Sequence, residues 1–351
     1  MSDLIHPICP ECDDPQEQAE LLQRRHFMRV LGQGTVGAAA LSAVATPLLS
    51  QAAPAKAKRK PKPAEELIRE LHSTLSDEQK KLIVLPWNHG TRNGKGLPTR
   101  LGMYNRPIQR KTIGKNYTKP QQELVQRILK SISSDEAGYK CITRNGTFDG
   151  SKAFENCGAL IFGDPLGKDK FSWVFSGHHL TVRCDGNSEE GAAFGGPMYY
   201  GHSVMGYNPR NVFQYQTKKV LEVYDALDEK QRKKAVVKGK SPGEHARSVQ
   251  FRPENEHPGI GIDELSKDQK KLILDVMQAV LSPFRKEDGD EVMQIIKTNG
   301  GLEKINLAFY EDARMRDGQP WHFWRLEGPG FVWNYRVLPH VHTYVNISSN
   351  I

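Results

Sequence analysis

The chain has 351 residues and a formal net charge of +8, with 38% hydrophobic, 8% aromatic and 26% charged residues. This is enough apolar material for a core, which excludes a wholly disordered chain, and five cysteines exclude a small disulfide-built scaffold. A single stretch approaches membrane length, which excludes a multi-span membrane protein.

Residues 1–55 read as an export address. Arg24 and Arg25 are followed by Phe27, no charge occurs between Arg29 and Lys56, and Val30 to Leu49 is rich in Ala, Gly, Ser and Thr. An arginine pair, a weakly apolar stretch and then small residues form the layout of a twin-arginine signal. Gly32, Gly34 and Gly37 make the stretch weakly apolar for a permanent anchor. Cleavage is expected near Ala52 or Ala57. The expectation is a protein handed folded to the twin-arginine translocase and released in the periplasm or another extracytoplasmic space, with no stable membrane span after cleavage. Cys9 and Cys12 form a CxxC pair ahead of the signal and leave with it.

Residues 56–63 hold Lys56, Lys58, Arg59, Lys60 and Lys62 among Ala and Pro, an extended basic linker. The first 52 residues carry three arginines and six carboxylates, so the remainder carries a formal +11. This surplus suits contact with anionic cell-envelope polymers. Without interleaved aromatics or a fold signature, no nucleic-acid partner is expected.

Residues 64–351 are expected to form a single domain. Ser76, Thr118, Asp228 and Ser266 are each followed three positions later by Gln79, Gln121, Gln231 and Gln269, a capping-box spacing. Helices should therefore start near 77, 119, 229 and 267. Their irregular spacing argues against a solenoid. Apolar stripes at Leu124, Val125, Ile128, Leu129 and Ile132, and at Leu272, Ile273, Val276, Met277 and Val280, give two helix bodies. Val292, Ile295 and Ile296 mark a shorter helix ending at Asn299. Strands are expected over 158–163, over 171–183 as one long strand, and over 192–204 as its partner, broken by Gly195-Gly196-Pro197. A C-terminal meander is expected over 305–310, 321–327, 331–338 and 341–347. Helices and strands come in blocks, which predicts an α+β fold with a largely antiparallel sheet and helices packed on it.

The histidines carry the chemistry. His340 and His342 start the last strand and, at i and i+2, share a face, so they can hold one metal ion; zinc, copper and iron are the candidates. His178 and His179 fall within the long strand and face opposite ways there, so only one of them joins the pair unless a bulge re-aims the other. His322 and His202 are further candidates for a third ligand. The alternative is that these are hydrogen-bonded sheet histidines. Ser176 lacks a nucleophile elbow. Asp149, Asp164, Glu189 and Glu190 offer carboxylates with no fixed separation. Trp173, Trp321, Trp324, Trp333 and Phe331 line a groove or fill the core face. Cys141, Cys157 and Cys184 are odd in number, and Cys141 with Cys157 can close a short loop.

Several segments occur in order: Leu75–Trp87, Gly96–Pro98, Tyr117–Tyr139, Leu160–Pro165, Trp173–Leu180, His257–Ile260 with Leu265–Gln269, Trp324–Pro329 and His340–His342. Together they resemble the bacterial DUF3500 family, of unknown function, over most of residues 65–345. The resemblance implies one α+β domain and two histidine motifs, His178-His179 and His340-Val341-His342, and brings no established activity. Family members carry an acidic residue where this chain has Asn334, and continue past the His-x-His with an Arg-Asp and an Asp-rich tail where this chain ends in Thr343–Ile351. The reading is an exported protein with a His178, His179, His340 and His342 metal site, a metal-dependent hydrolase or oxidase. Its rival is a non-catalytic envelope protein binding through its basic surface, and Asn334 also fits a member retained for binding only.

Overall fold

Alternation along the central strands separates an apolar sheet face from a more polar one. The computed structural model describes residues 63–93, 95–167, 169–242, 249–311 and 315–349. The segment expected to be an export signal, its CxxC pair and all of the basic linker but Pro63 lie outside them. The described residues build one α+β domain with an eleven-stranded, mostly antiparallel sheet. The strands are β1 (Val84–Leu85), β2 (Gly158–Gly163), β3 (Phe171–Gly177), β4 (Leu180–Cys184), β5 (Met198–His202), β6 (Val236–Val237), β7 (Ile260–Gly261), β8 (Asn306–Tyr310), β9 (Phe323–Gly328), β10 (Phe331–Arg336) and β11 (Val341–Ile347). Their order is β1-β2-β3-β4-β5-β11-β10-β9-β8-β6, with β7 on β8.

Helix Gln214–Ala226 packs on the apolar face. Tyr200 meets Phe213 at 4.8 Å between ring centroids, Phe309 meets Tyr224 at 4.9 Å, and Tyr335 Oη lies 3.1 Å from Thr217 Oγ1. Trp173, Trp321, Trp324, Trp333 and Phe331 are all at most 1% exposed in this core. They fill it and line no groove. On the opposite face, register pairs Thr181, Tyr199, Tyr344, Asn334 and Arg325 in one row, and Gly201, His342 and Arg336 in the next. Met103, Val249 and Phe251 pack over this polar face. Loop residues therefore roof part of one side while helix Gln214–Ala226 packs on the other.

The two halves repeat one another. Helices Asp77–Ile83, Lys119–Ser131, Glu229–Ala235 and Lys267–Leu281 begin with the four expected capping boxes. The glutamines of these boxes pair reciprocally: Gln79 with Gln121 at 2.7 and 3.1 Å, and Gln231 with Gln269 at 3.1 and 2.7 Å. Gln121 also donates to Thr74 O and Gln269 to Ala226 O, tying each pair to the end of helix Ala64–Ser73 or Gln214–Ala226. Each half then adds a parallel edge pair, β1 on β2 or β6 on β8, and a four-stranded meander. The meanders meet at β5 and β11. The four caps are thus two copies of a pair, a relation their irregular spacing concealed.

Three expectations are corrected. Residues 171–183 are two strands, β3 and β4, turned at His178-His179. Of 192–204, only Met198–His202 is a strand, because the Gly195-Gly196-Pro197 segment breaks the pattern. Cys141, Cys157 and Cys184 are free thiols: Cys157 lies near Ala153 O and Cys141 near Val212 O. Among the described residues, no helix is long and apolar enough to cross a membrane.

Truncating Trp173 to Ala empties the apolar face and should cost about 3–5 kcal/mol, whereas Ser266→Ala removes one cap and should cost about 1 kcal/mol. Urea unfolding of the two variants measures this ratio.

Candidate metal centre

The β3–β4 hairpin turn brings the first histidine motif to the polar face. Gly177 pairs with Leu180, which leaves His178-His179 as a two-residue loop. His179 takes φ 53°, a left-handed conformation uncommon outside glycine. The matching turn of the second half, between β9 and β10, places Gly330 there at φ 64°. The surroundings hold the strained turn: Ser151 Oγ accepts the His178 N–H (2.8 Å), Asn105 Oδ1 accepts the His179 N–H (2.6 Å), and Gly201 N–H donates to His179 O (2.9 Å). Buried Arg144 donates to His178 O at 2.7 Å. In the second half Asn299 does the same for Pro329 O, at 2.9 Å.

The second motif arrives from β11. His342 faces Gly201 in register, and a Cβ on Gly201 would strike the Val341 carbonyl and lie 3.3 Å from His342 Cδ2. His340 precedes the strand, and Arg336 Nε donates to its carbonyl at 3.2 Å. His342 Nε2 is 2.9 Å from His179 Nε2 and 2.8 Å from His340 Nε2. One ring nitrogen from each of these three histidines lies within 4.8 Å of the others. The rings are at most 5% exposed.

Hydrogen-bond partners assign the tautomers. Asp149 Oδ2 accepts from His179 Nδ1 at 2.7 Å and from Ser203 N–H at 2.8 Å. The proton of His179 is therefore on Nδ1, and its Nε2 presents a lone pair. Arg336 Nη2, a donor, stands 3.2 Å from His340 Nε2, so that atom also presents a lone pair. His342 Nε2 carries at most one proton for these two neighbours. One of its two short contacts is then lone pair against lone pair unless a cation lies between them. A tetrahedral zinc with Zn–N of about 2.0–2.1 Å spaces its nitrogens about 3.4 Å apart. The three rings need to open by about half an ångström to accept it.

Burial sets the charges. It drives His179 down to about 3 against the opposing pull of Asp149, and holds His340 and His342 well below the usual histidine range, with Arg336 adding to the depression. Burial pushes Asp149 upward, but the His179 hydrogen bond and the nearby Arg144 outweigh it and keep the carboxylate ionised.

Of the residues expected here, His179, His340 and His342 converge. Asp149, His178 and His179 form a second cluster within 4.8 Å. His178 Nδ1, however, accepts the Gly150 N–H at 2.9 Å, and the His178 and His179 rings lie 3.8 Å apart. A Cβ on Gly150 would sit 2.6 Å from His178 Nδ1. His178 thus packs beside the ligand set, and the expected opposite orientation of the two rings is overturned by the turn. His202 Nδ1 accepts the Val212 N–H, and the His322 ring lies 6.2 Å from that of Phe323; neither belongs to the cluster. Ser176 Oγ accepts the Ile108 N–H. Ser203 Oγ and Asp149 both approach His179 Nδ1, so they form no Ser-His-Asp relay. Asp164 accepts the Leu166 N–H, Glu189 pairs with Arg100, and Glu190 lies 3.8 Å from Lys170. Asn334 accepts from Arg325, which is paired with Glu327. Asp149, Arg144 and Arg336 are the residues that sequence reasoning did not assign to the site. Asp149 was considered only as half of a carboxylate pair, and no spacing signal links it to a turn 30 residues away.

The chain belongs to the DUF3500 family, described as proteins of unknown function, which it matches over residues 57–349. No curated protein and no solved structure matches it.

Histidines neutral in the fold and protonated in the unfolded chain stabilise the fold fully above pH 6.5 and progressively less below it. Metal-free protein should therefore lose up to about 1.4 kcal/mol per pH unit for each of the three as pH falls from 6.5. Urea midpoints between pH 7.5 and 5 should fall steeply, and a His342→Gln variant should show a shallower slope.

Proposed function

We propose that this is an exported metalloprotein that holds one transition-metal ion, zinc before copper or iron, on His179, His340 and His342 and uses it for metal-assisted hydrolysis. The convergence of three ring nitrogens with two assigned lone pairs carries the reading. Three neutral imidazoles form a catalytic type of zinc donor set, which leaves a fourth position for water or substrate. No cysteine belongs to the cluster, which disfavours a thiolate copper site. Asp149 faces the far nitrogen of His179 rather than the centre, which disfavours a two-histidine, one-carboxylate iron site. When bound, such an ion supplies Lewis acidity and an acidified water. Asp149 orients the His179 ring and raises its basicity, as carboxylates behind metal-binding histidines do. The roof of Met103, Val249 and Phe251 limits water on this face.

One observation favours oxidation as the second reading. Tyr199 and Tyr344 stack at 4.7 Å, and Tyr344 Oη lies 3.4 Å from His342 Nδ1, a phenol pair beside the ligand set that suits copper or iron. The Arg24-Arg25 pair and the uncharged stretch after Arg29 support export through the twin-arginine translocase. The basic surplus supports contact with anionic envelope polymers, a use independent of the histidines.

Elemental analysis of the full chain purified in its exported form should find close to one zinc, copper or iron per chain. His342→Ala should abolish it and Asp149→Asn should weaken it about 10–100-fold. A metal-free wild type as stable as its His342→Ala variant contradicts the reading. Replacing Arg24 and Arg25 by lysine should leave the precursor in the cytoplasm, as read by fractionation; unchanged export contradicts the assigned signal.

A further inference from the structure

Segment 100–105 runs along β4 over the polar face, and side chains of β4 fasten it there. Arg183 Nε donates to Arg100 O at 2.6 Å, and Arg183 Nη2 donates to Gly102 O. Thr181 Oγ1 donates to Tyr104 O at 2.7 Å and accepts the Tyr104 N–H at 2.8 Å. Thr181 and Arg183 are at most 4% exposed, so these bonds are shielded from water. Both ends are pinned as well. The Arg100 guanidinium lies 3.5 Å from the centroid of the Trp87 ring, and the Ile108 N–H donates to Ser176 Oγ at 3.1 Å. The strap so held delivers Asn105 to the β3–β4 turn. Asn105 Oδ1 accepts two donors there, the His179 N–H at 2.6 Å and the Tyr199 O–H at 3.3 Å. Tyr199 in turn packs edge-on against the His179 and His342 rings, at 6.2 and 5.5 Å between centroids. One oxygen thus bears on two of the three candidate ligands.

Resting on the metal reading above, we infer that Asn105 is a positioning residue of the centre, which holds His179 in the left-handed conformation that aims its Nε2 at His342. A residue with a Cβ enters that conformation at an energetic cost and persists in it only where the surroundings over-determine it. Rotation of the His179 backbone out of this region swings its N–H away from Asn105 and its Cβ away from the centre, so the hydrogen bond and the ligand geometry are lost together. Asp149 fixes the proton of the ring, and Asn105 fixes the backbone that carries the ring. Partners behind a metal ligand typically contribute about 10–100-fold in metal affinity.

The test uses the full chain and Co2+, whose visible absorption reports its ligands. Co2+ is titrated into wild type, Asn105→Ala, Asn105→Asp, Thr181→Val and Met103→Ala, with thermal melts as the folding control. Asn105→Ala should bind Co2+ about 10–100-fold more weakly, with an altered spectrum. Asn105→Asp keeps the accepting oxygen and should stay close to wild type. Thr181→Val unfastens Tyr104 beside Asn105 and should lose affinity, though less than Asn105→Ala. Met103→Ala, which empties part of the roof on the same strap, should lower the melting temperature and leave affinity and spectrum unchanged. Wild-type affinity and spectrum in Asn105→Ala, a loss in Asn105→Asp as large as in Asn105→Ala, or an equal loss in Met103→Ala each overturns the positioning role and leaves the metal centre standing. If Asn105→Ala does not fold, Thr181→Val decides, and unchanged affinity in that variant overturns the role. A wild type that takes up no Co2+ overturns both readings.

Discussion

The bond between Asp149 and His179 fixes a proton, and the rest of the site depends on where that proton sits. With Nδ1–H directed at the carboxylate 2.7 Å away, His179 can present only a lone pair to His342. The Arg336 N–H does the same for His340 from the other side. The crowding of nitrogens that results is one that a cation between them would relieve. Arg144 contributes twice, by holding the turn through His178 O and by helping to keep Asp149 ionised.

The repeated architecture shows what this arrangement costs. In the second half, the β9–β10 turn carries Gly330 at positive φ, with Asn299 bound to the Pro329 carbonyl. In the first half, the corresponding turn carries His179 at nearly the same φ, with Arg144 in the place of Asn299. Backbone bonds match as well: Gly201 N–H to His179 O corresponds to Ser348 N–H to Gly330 O. One copy keeps the residue that fits the turn without strain. The other accepts a backbone conformation costing of order 1–3 kcal/mol and a buried arginine, and gains an imidazole on the polar face. Local rules are broken where chemistry is concentrated.

The helix starts were legible in the sequence because capping boxes are local: Ser76, Thr118, Asp228 and Ser266 each need only the next three residues. The meander was legible because strand periodicity is also local; His340 and His342 do meet, but His340 precedes β11, so the expected strand alternation is not what brings it there. The turn at His178-His179 was missed because neither loop residue is Gly or Asn, although Gly177 precedes it and the apolar positions change phase there, from Phe171, Trp173 and Phe175 to Leu180 and Val182. Misplacing that turn set His178 and His179 on opposite faces, left the choice between them open, and kept His322 and His202 as further candidates. Asp149, Arg144 and Arg336 reach the site through tertiary contact alone. The pairing of the four caps was hidden for the same reason, since it appears only when Gln79 meets Gln121 and Gln231 meets Gln269. Helix Gln214–Ala226 has a weakly marked apolar stripe and gave no comparable signal.

X-ray absorption at the metal edge of the purified protein tests the central claim most directly. The account predicts one ion with three imidazole nitrogens, at about 2.0–2.1 Å if it is zinc, and one further oxygen ligand. A sulfur-containing shell, an all-oxygen shell, or protein without metal would contradict it.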